Sequence, residues 1–193
     1  DHAVMDHGEM KHDSMPRFKV RSPGDLLYPC SVLGERYLRA CYQNQAGLMV
    51  EQTGMDFAKV AAGCDTAPEP MRSTCYQGIG TYASGVTTRD PEISARLCSL
   101  GSMRYQSWCF VGVVKNFIDV TANPYDGLEF CRKLGPREIA TACYHAVGEQ
   151  AAVLYVPMAK RDTVCMKVDP KFVAACRFGA GLTTDRPISL PRR

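Results

Sequence analysis

Cys75-Tyr76-Gln77-Gly78-Ile79-Gly80 is one of five versions of a single phrase in this chain. The others are Cys41-Tyr42-Gln43-Asn44-Gln45-Ala46, Cys109-Phe110-Val111-Gly112-Val113-Val114, Cys143-Tyr144-His145-Ala146-Val147-Gly148 and Cys176-Arg177-Phe178-Gly179-Ala180-Gly181. An aromatic residue follows the cysteine in four of the five, and a small residue usually stands three or five places beyond it. Upstream of each phrase is a second cysteine: Cys30, Cys64, Cys98, Cys131 and Cys165. The gaps between successive cysteines run 11, 23, 11, 23, 11, 22, 12, 22 and 11, a period of 33 to 34 residues repeated five times. A fixed period of this size is the signature of a repeat array, in which each unit buries its apolar face against its neighbours.

Within a unit the pattern is helical. Alanine is frequent, and no stretch sustains the apolar–polar alternation of a strand. In the third unit Asp90-Pro91 opens a short helix with proline at its first position, and Gly101 closes it. Ser102 then offers an N-cap for a long helix over roughly Met103 to Val120, which Asn123-Pro124 ends. Gly135-Pro136 and Asp169-Pro170 mark the corresponding turns of the fourth and fifth units. The expected fold is all-α: a right-handed α-solenoid of about five helical hairpins over residues 23–184, with tails at 1–22 and 185–193.

Ten cysteines in 193 residues call for either an oxidising compartment or a metal. Short Cys-x-x-Cys spacings, which zinc and iron–sulfur sites favour, are absent, so disulfides are the expectation. Pairing across units would strand Cys30 and Cys176 at opposite ends. Pairing within units uses all ten: Cys30–Cys41, Cys64–Cys75, Cys98–Cys109, Cys131–Cys143 and Cys165–Cys176. Each bridge closes a loop worth about 2.5–3 kcal/mol on the chain-entropy estimate. The aromatics Tyr42, Tyr76, Phe110 and Tyr144 recur in phase with the staple, so they are expected to plug the gaps between hairpins rather than to line a binding face. The glycines Gly78, Gly80, Gly112, Gly148, Gly179 and Gly181 are expected where helices approach closely.

The period resembles tetratricopeptide repeats, and the cysteine-stapled unit resembles the Sel1-like repeats of secreted bacterial proteins. The staple spacing here, Cys-x10-Cys or Cys-x11-Cys, and the short–long helix asymmetry differ from those families, so the resemblance carries architecture only. What it implies is a protein partner bound along the array.

The first fifteen residues form three pentapeptides, Asp1-His2-Ala3-Val4-Met5, Asp6-His7-Gly8-Glu9-Met10 and Lys11-His12-Asp13-Ser14-Met15. Imidazole suits copper in either oxidation state, and thioether selects Cu(I) or Ag(I). Where thiols are lost to disulfides, methionine still offers a soft sulfur. His2, Met5, His7, Met10, His12 and Met15 are therefore the candidate ligands for copper or silver. The pattern resembles the Met/His-rich segments of periplasmic copper- and silver-resistance proteins.

Other classes find little support. Net charge is only +3, with −3 in the first fifteen residues and +6 spread over the rest, too diffuse for a nucleic-acid footprint. No apolar run is long enough to span a membrane. His145 is the sole histidine outside the tail, and no acid–base pair or free thiol is evident, so catalysis is not expected. The polar opening at Asp1 reads as a mature start after signal removal, and the lack of Asn-x-Ser/Thr favours a periplasm over a glycosylating route. Two functional readings follow: an exported interaction scaffold or subunit with a metal-binding tail, or a dedicated copper-handling protein in which the array is only a support.

Overall fold

The computed structural model describes residues 22–87 and 90–192. Among them the chain is all-helical, with nine α-helices and no strand. A single turn of 3-10 helix at Cys30–Val32 leads into the long helix α1 (Glu35–Gln52). Short and long helices then alternate: α2 (Phe57–Asp65) and α3 (Glu69–Val86), α4 (Pro91–Cys98) and α5 (Gln106–Thr121), α6 (Pro124–Arg132) and α7 (Arg137–Leu154), α8 (Met158–Cys165) and α9 (Val173–Gly179). Each long helix packs on the long helices before and after it, and each short helix is wedged between the two that flank it in sequence.

The short helices α2, α4 and α6 begin where the sequence provides a side-chain cap. Asp56 accepts a hydrogen bond from Lys59 N at 3.1 Å, Asp90 from Glu92 N and Ile93 N at 2.9 and 2.8 Å, and Asn123 from Tyr125 N at 3.2 Å. These satisfy amides that the first helical turn leaves unpaired. Such a cap is worth about 1 kcal/mol.

All five disulfides join cysteines of the same unit, with Cα–Cα separations of 5.5 to 5.7 Å. No described cysteine is free. Each staple ties a cysteine of the short element to the seventh residue of the following helix in α1, α3 and α7, and to the fourth in α5 and α9. Five bridges point to an oxidising, extracytoplasmic environment, and no described helix is long and apolar enough to cross a membrane.

The glycines explain how the long helices approach. A Cβ at Gly78 would press into the Gln43 carbonyl, one at Gly112 into the Gln77 carbonyl, and one at Gly179 into the His145 carbonyl. Three places past its cysteine, each of these residues therefore touches the backbone of the preceding unit. Gly80 and Gly148, five places past theirs, meet the carbonyls of Cys109 and Cys176 in the following unit. The α5–α7 pair carries Val114 and Ala146 at these places and is joined instead by polar bridges.

The structure departs from the sequence reading at four points. First, α5 starts at Gln106, three residues later than expected: residues 103–105 wind as a turn, and the Ser102 N–H donates to Tyr76 Oη at 2.9 Å. Second, Gly101 does not adopt the left-handed C-cap conformation. It is needed because the Tyr76 ring lies where its Cβ would go. Third, Gly181 is no close-approach position. It has φ +68°, and it ends α9 in a Schellman motif, with Gly181 N bonded to Phe178 O and Leu182 N to Arg177 O. Fourth, the end units are reduced. The first has only the 3-10 turn in place of a short helix, and α9 is just 7 residues. Terminal units of an array have one neighbour to pack against, so less helix can be stabilised there.

Candidate functional site

The in-phase aromatics are internal. Tyr42, Tyr76, Phe110 and Tyr144 are all at least 96% buried. Tyr76 lies 5.4 Å from the Tyr105 ring, Phe110 faces Phe130 at 6.5 Å, and Tyr144 stacks on Phe172 at 5.0 Å, each partner belonging to the next unit. Tyr76 also donates from its hydroxyl to Asp65 Oδ1 at 2.9 Å. Burial raises the Tyr76 hydroxyl far above its ordinary value; the Ser102 amide opposes this and the Asp65 carboxylate adds to it. Burial likewise raises Tyr42 and Tyr144. Truncating a buried ring of this size typically costs about 3–5 kcal/mol. No further unit follows the fifth among the described residues, and its equivalent residue is Arg177, which grips Asp162 of α8 through two hydrogen bonds of 2.8 and 3.0 Å. That pairing holds the Asp162 carboxyl below the usual range.

With the aromatics committed to packing, the surfaces open to a ligand lie elsewhere. On a helix of 3.6 residues per turn, positions two and six past the cysteine point away from the staple. There a polar seam crosses the long helices. A pocket of about 130 Å³ between α1, α3 and α5 is lined by Arg39, Gln43, Ser73, Gln77, Trp108 and Lys115, among others. Beyond it Lys115 Nζ meets Glu149 Oε2 at 2.8 Å, with His145 Nδ1 at 3.8 Å from the same oxygen. Gln150 also bonds Asp119 across α5 and α7. The sequence marks His145 only as the sole histidine outside the tail and does not display this cluster by any local motif. The signal for it was phase: Lys115 and Glu149 each stand six places past the second cysteine of adjacent units.

At the C-terminal ends of the long helices valines are exposed beside polar residues such as Glu51, Asp119 and Thr121. Val86 of α3, Val120 of α5 and Val153 of α7 stand at nearly equivalent places in their units and are 39%, 54% and 76% exposed, with Val156 and Met158 just beyond. Singly exposed apolar residues are ordinary; a row in register with the repeat is not.

At the opposite ends lies the returning C-terminal segment. Past Leu182 the chain runs back across the starts of α7, α5 and α3. A β-turn over Pro187–Leu190 is closed by Leu190 N to Pro187 O at 3.1 Å. The Arg186 guanidinium braces it by donating to the carbonyls of Leu190 and Pro191 at 3.2 and 2.7 Å. Ser189 Oγ sits 3.2 Å from Thr141 Oγ1 of α7. Leu190 is 5% exposed and joins the core, whereas Ile188 is fully exposed. Pro191 and Arg192 then form one wall of a cavity of about 430 Å³, completed by Glu69, Pro70, Arg104 and Tyr105. Arg104 bridges Glu69 at 2.8 Å, and the buried Tyr105 hydroxyl has no hydrogen-bond partner.

The six tail donors, His2, Met5, His7, Met10, His12 and Met15, lie outside the described residues. Among the described residues no group of three or more His, Cys, Asp or Glu converges as a metal centre. The chain matches no known protein family, no curated protein and no solved structure.

Proposed function

We propose that this chain is an exported helical-repeat scaffold or subunit that binds a protein partner, and that its His-x-x-Met tail binds Cu(I) or Ag(I). The observation that carries the scaffold reading is the set Val86, Val120 and Val153, exposed at nearly equivalent places at the ends of α3, α5 and α7. Water-facing valines that recur with the repeat are costly to keep without a partner, and their spacing follows the helices of a rigid platform. A periplasmic location accords with five bridges, with the lack of Asn-x-Ser/Thr and with a soft-metal tail. A photo-crosslinking residue at position 120 or 153 of the full chain should give the same protein adduct in its native extracytoplasmic fraction. Position 103, also exposed but at the other end of the long helices, should not. Equal labelling from all three positions, or none, removes the rim from the function.

The tail reading rests on donor chemistry. All ten thiols are bonded, so thioethers are the soft sulfurs left, and three imidazoles alternate with three of them. Deleting residues 1–15 should abolish most Cu(I) or Ag(I) binding by isothermal titration and leave the melt of the array nearly unchanged. Replacing the three methionines with leucine should weaken Cu(I) and Ag(I) more than Cu(II), which the imidazoles still hold. Lowering the pH toward about 5 should release metal as the imidazoles protonate near 6.5. Equal Cu(I) affinity in the full chain and in one starting at Pro16 would exclude the tail and leave the scaffold alone.

A further inference from the structure

We infer that the channel across the starts of α7, α5 and α3 is a docking site for a turn-forming, proline-bounded segment of a protein partner carrying leucine followed by a basic residue, and that residues 183–192 are its resident competitor. The inference rests on the scaffold reading above but concerns a different face from the valine rim.

Three features carry it. The segment binds as a ligand does, through side chains. Leu190 is buried in the body and Ser189 pairs with Thr141, while the described main-chain bonds of residues 183–192 close on the segment itself. Prolines at 187 and 191 restrict the backbone before it docks, which lowers the ordering cost of the segment. The site is also larger than its occupant. Beyond Pro191 the cavity of about 430 Å³ presents the Glu69 carboxylate beside the Tyr105 ring. A longer segment would bring a cation to Glu69 in place of Arg104. The recognition code is thus leucine in the Leu190 pocket, a hydroxyl opposite Thr141 and a positive charge next to Glu69.

The test is fluorescence anisotropy with a labelled peptide of residues 183–192 added to the full chain. The wild-type chain, its site filled, should bind weakly. Leu190→Asp expels the resident segment and should raise peptide affinity at least ten-fold, whereas Ile188→Asp, at an exposed position, should leave it at the wild-type level. A peptide carrying aspartate at the leucine position should not bind. Should Leu190→Asp cost the fold, Leu190→Ala loosens the same anchor and should give a smaller gain of the same sign. No gain in a folded variant, or a gain shared by the aspartate peptide, overturns the proposal. Neither result touches the valine rim, which the crosslinking experiment reads separately.

Discussion

Alanine at Gly80 should destabilise the array by about 3 kcal/mol or more, while alanine at Gly85, five residues on in the same helix, should be neutral or slightly stabilising. A methyl group on Gly80 would overlap the Cys109 carbonyl oxygen and lie 2.9 Å from Val113 N. These are backbone atoms of α5 that cannot rotate away, so the helices must part. Overpacking usually costs about 1–3 kcal/mol where side chains can adjust, and more where they cannot. At Gly85 nothing lies within 4 Å, and alanine there removes the flexibility of a helical glycine, worth about 0.5–1 kcal/mol. For a chain of this size 3 kcal/mol corresponds to a loss of roughly 6–12 °C in Tm. Urea or thermal melts followed by circular dichroism would show the two variants moving apart, and equal behaviour would refute the close-packed interface.

The second large effect is reduction. Each staple closes a loop of 11 or 12 residues, so each is worth about 2.5–3 kcal/mol. Together they rival the about 5–15 kcal/mol by which a whole domain is normally stable. Coupled units need not add, yet removing all five should leave little folded array at room temperature. Complete reduction followed by a helical melt should therefore show low helix content and no cooperative transition. An unchanged melt would mean that packing alone holds the repeats.

The parts of this fold legible from sequence are those that recur. The staples, the plugging role of Tyr42, Tyr76, Phe110 and Tyr144, and the crowding at Gly78, Gly80, Gly112, Gly148 and Gly179 all follow from residues held in phase. What does not recur was hidden. Gly181 looked like its counterparts Gly80 and Gly148, but it follows the last described helix, with no next unit among the described residues to approach, and so it serves the turn. Ser102 had the chemistry of an N-cap, but a turn intervenes before α5, and its amide bonds Tyr76, a partner 26 residues away that no local pattern displays. The returning segment is harder still. Residues 185–193 have no periodicity, and only the folded surface decides that Leu190 rather than Ile188 is the anchor. The Lys115–Glu149 pair was readable in principle, because both residues hold the same place in adjacent units.

The position of the staples has a mechanical consequence. Every bridge lies inside a unit, so none limits how far one hairpin can be drawn from the next. Under tension the interfaces between hairpins can separate while each loop stays shut, withholding roughly 35–40 Å of contour per unit at about 3.3–3.6 Å per residue. A pulled chain would thus shed its hairpins one by one and stop well short of full extension. Its remaining reserve of length would be released only by a thiol reductant, so stretch and redox state would be read out together as one end-to-end distance.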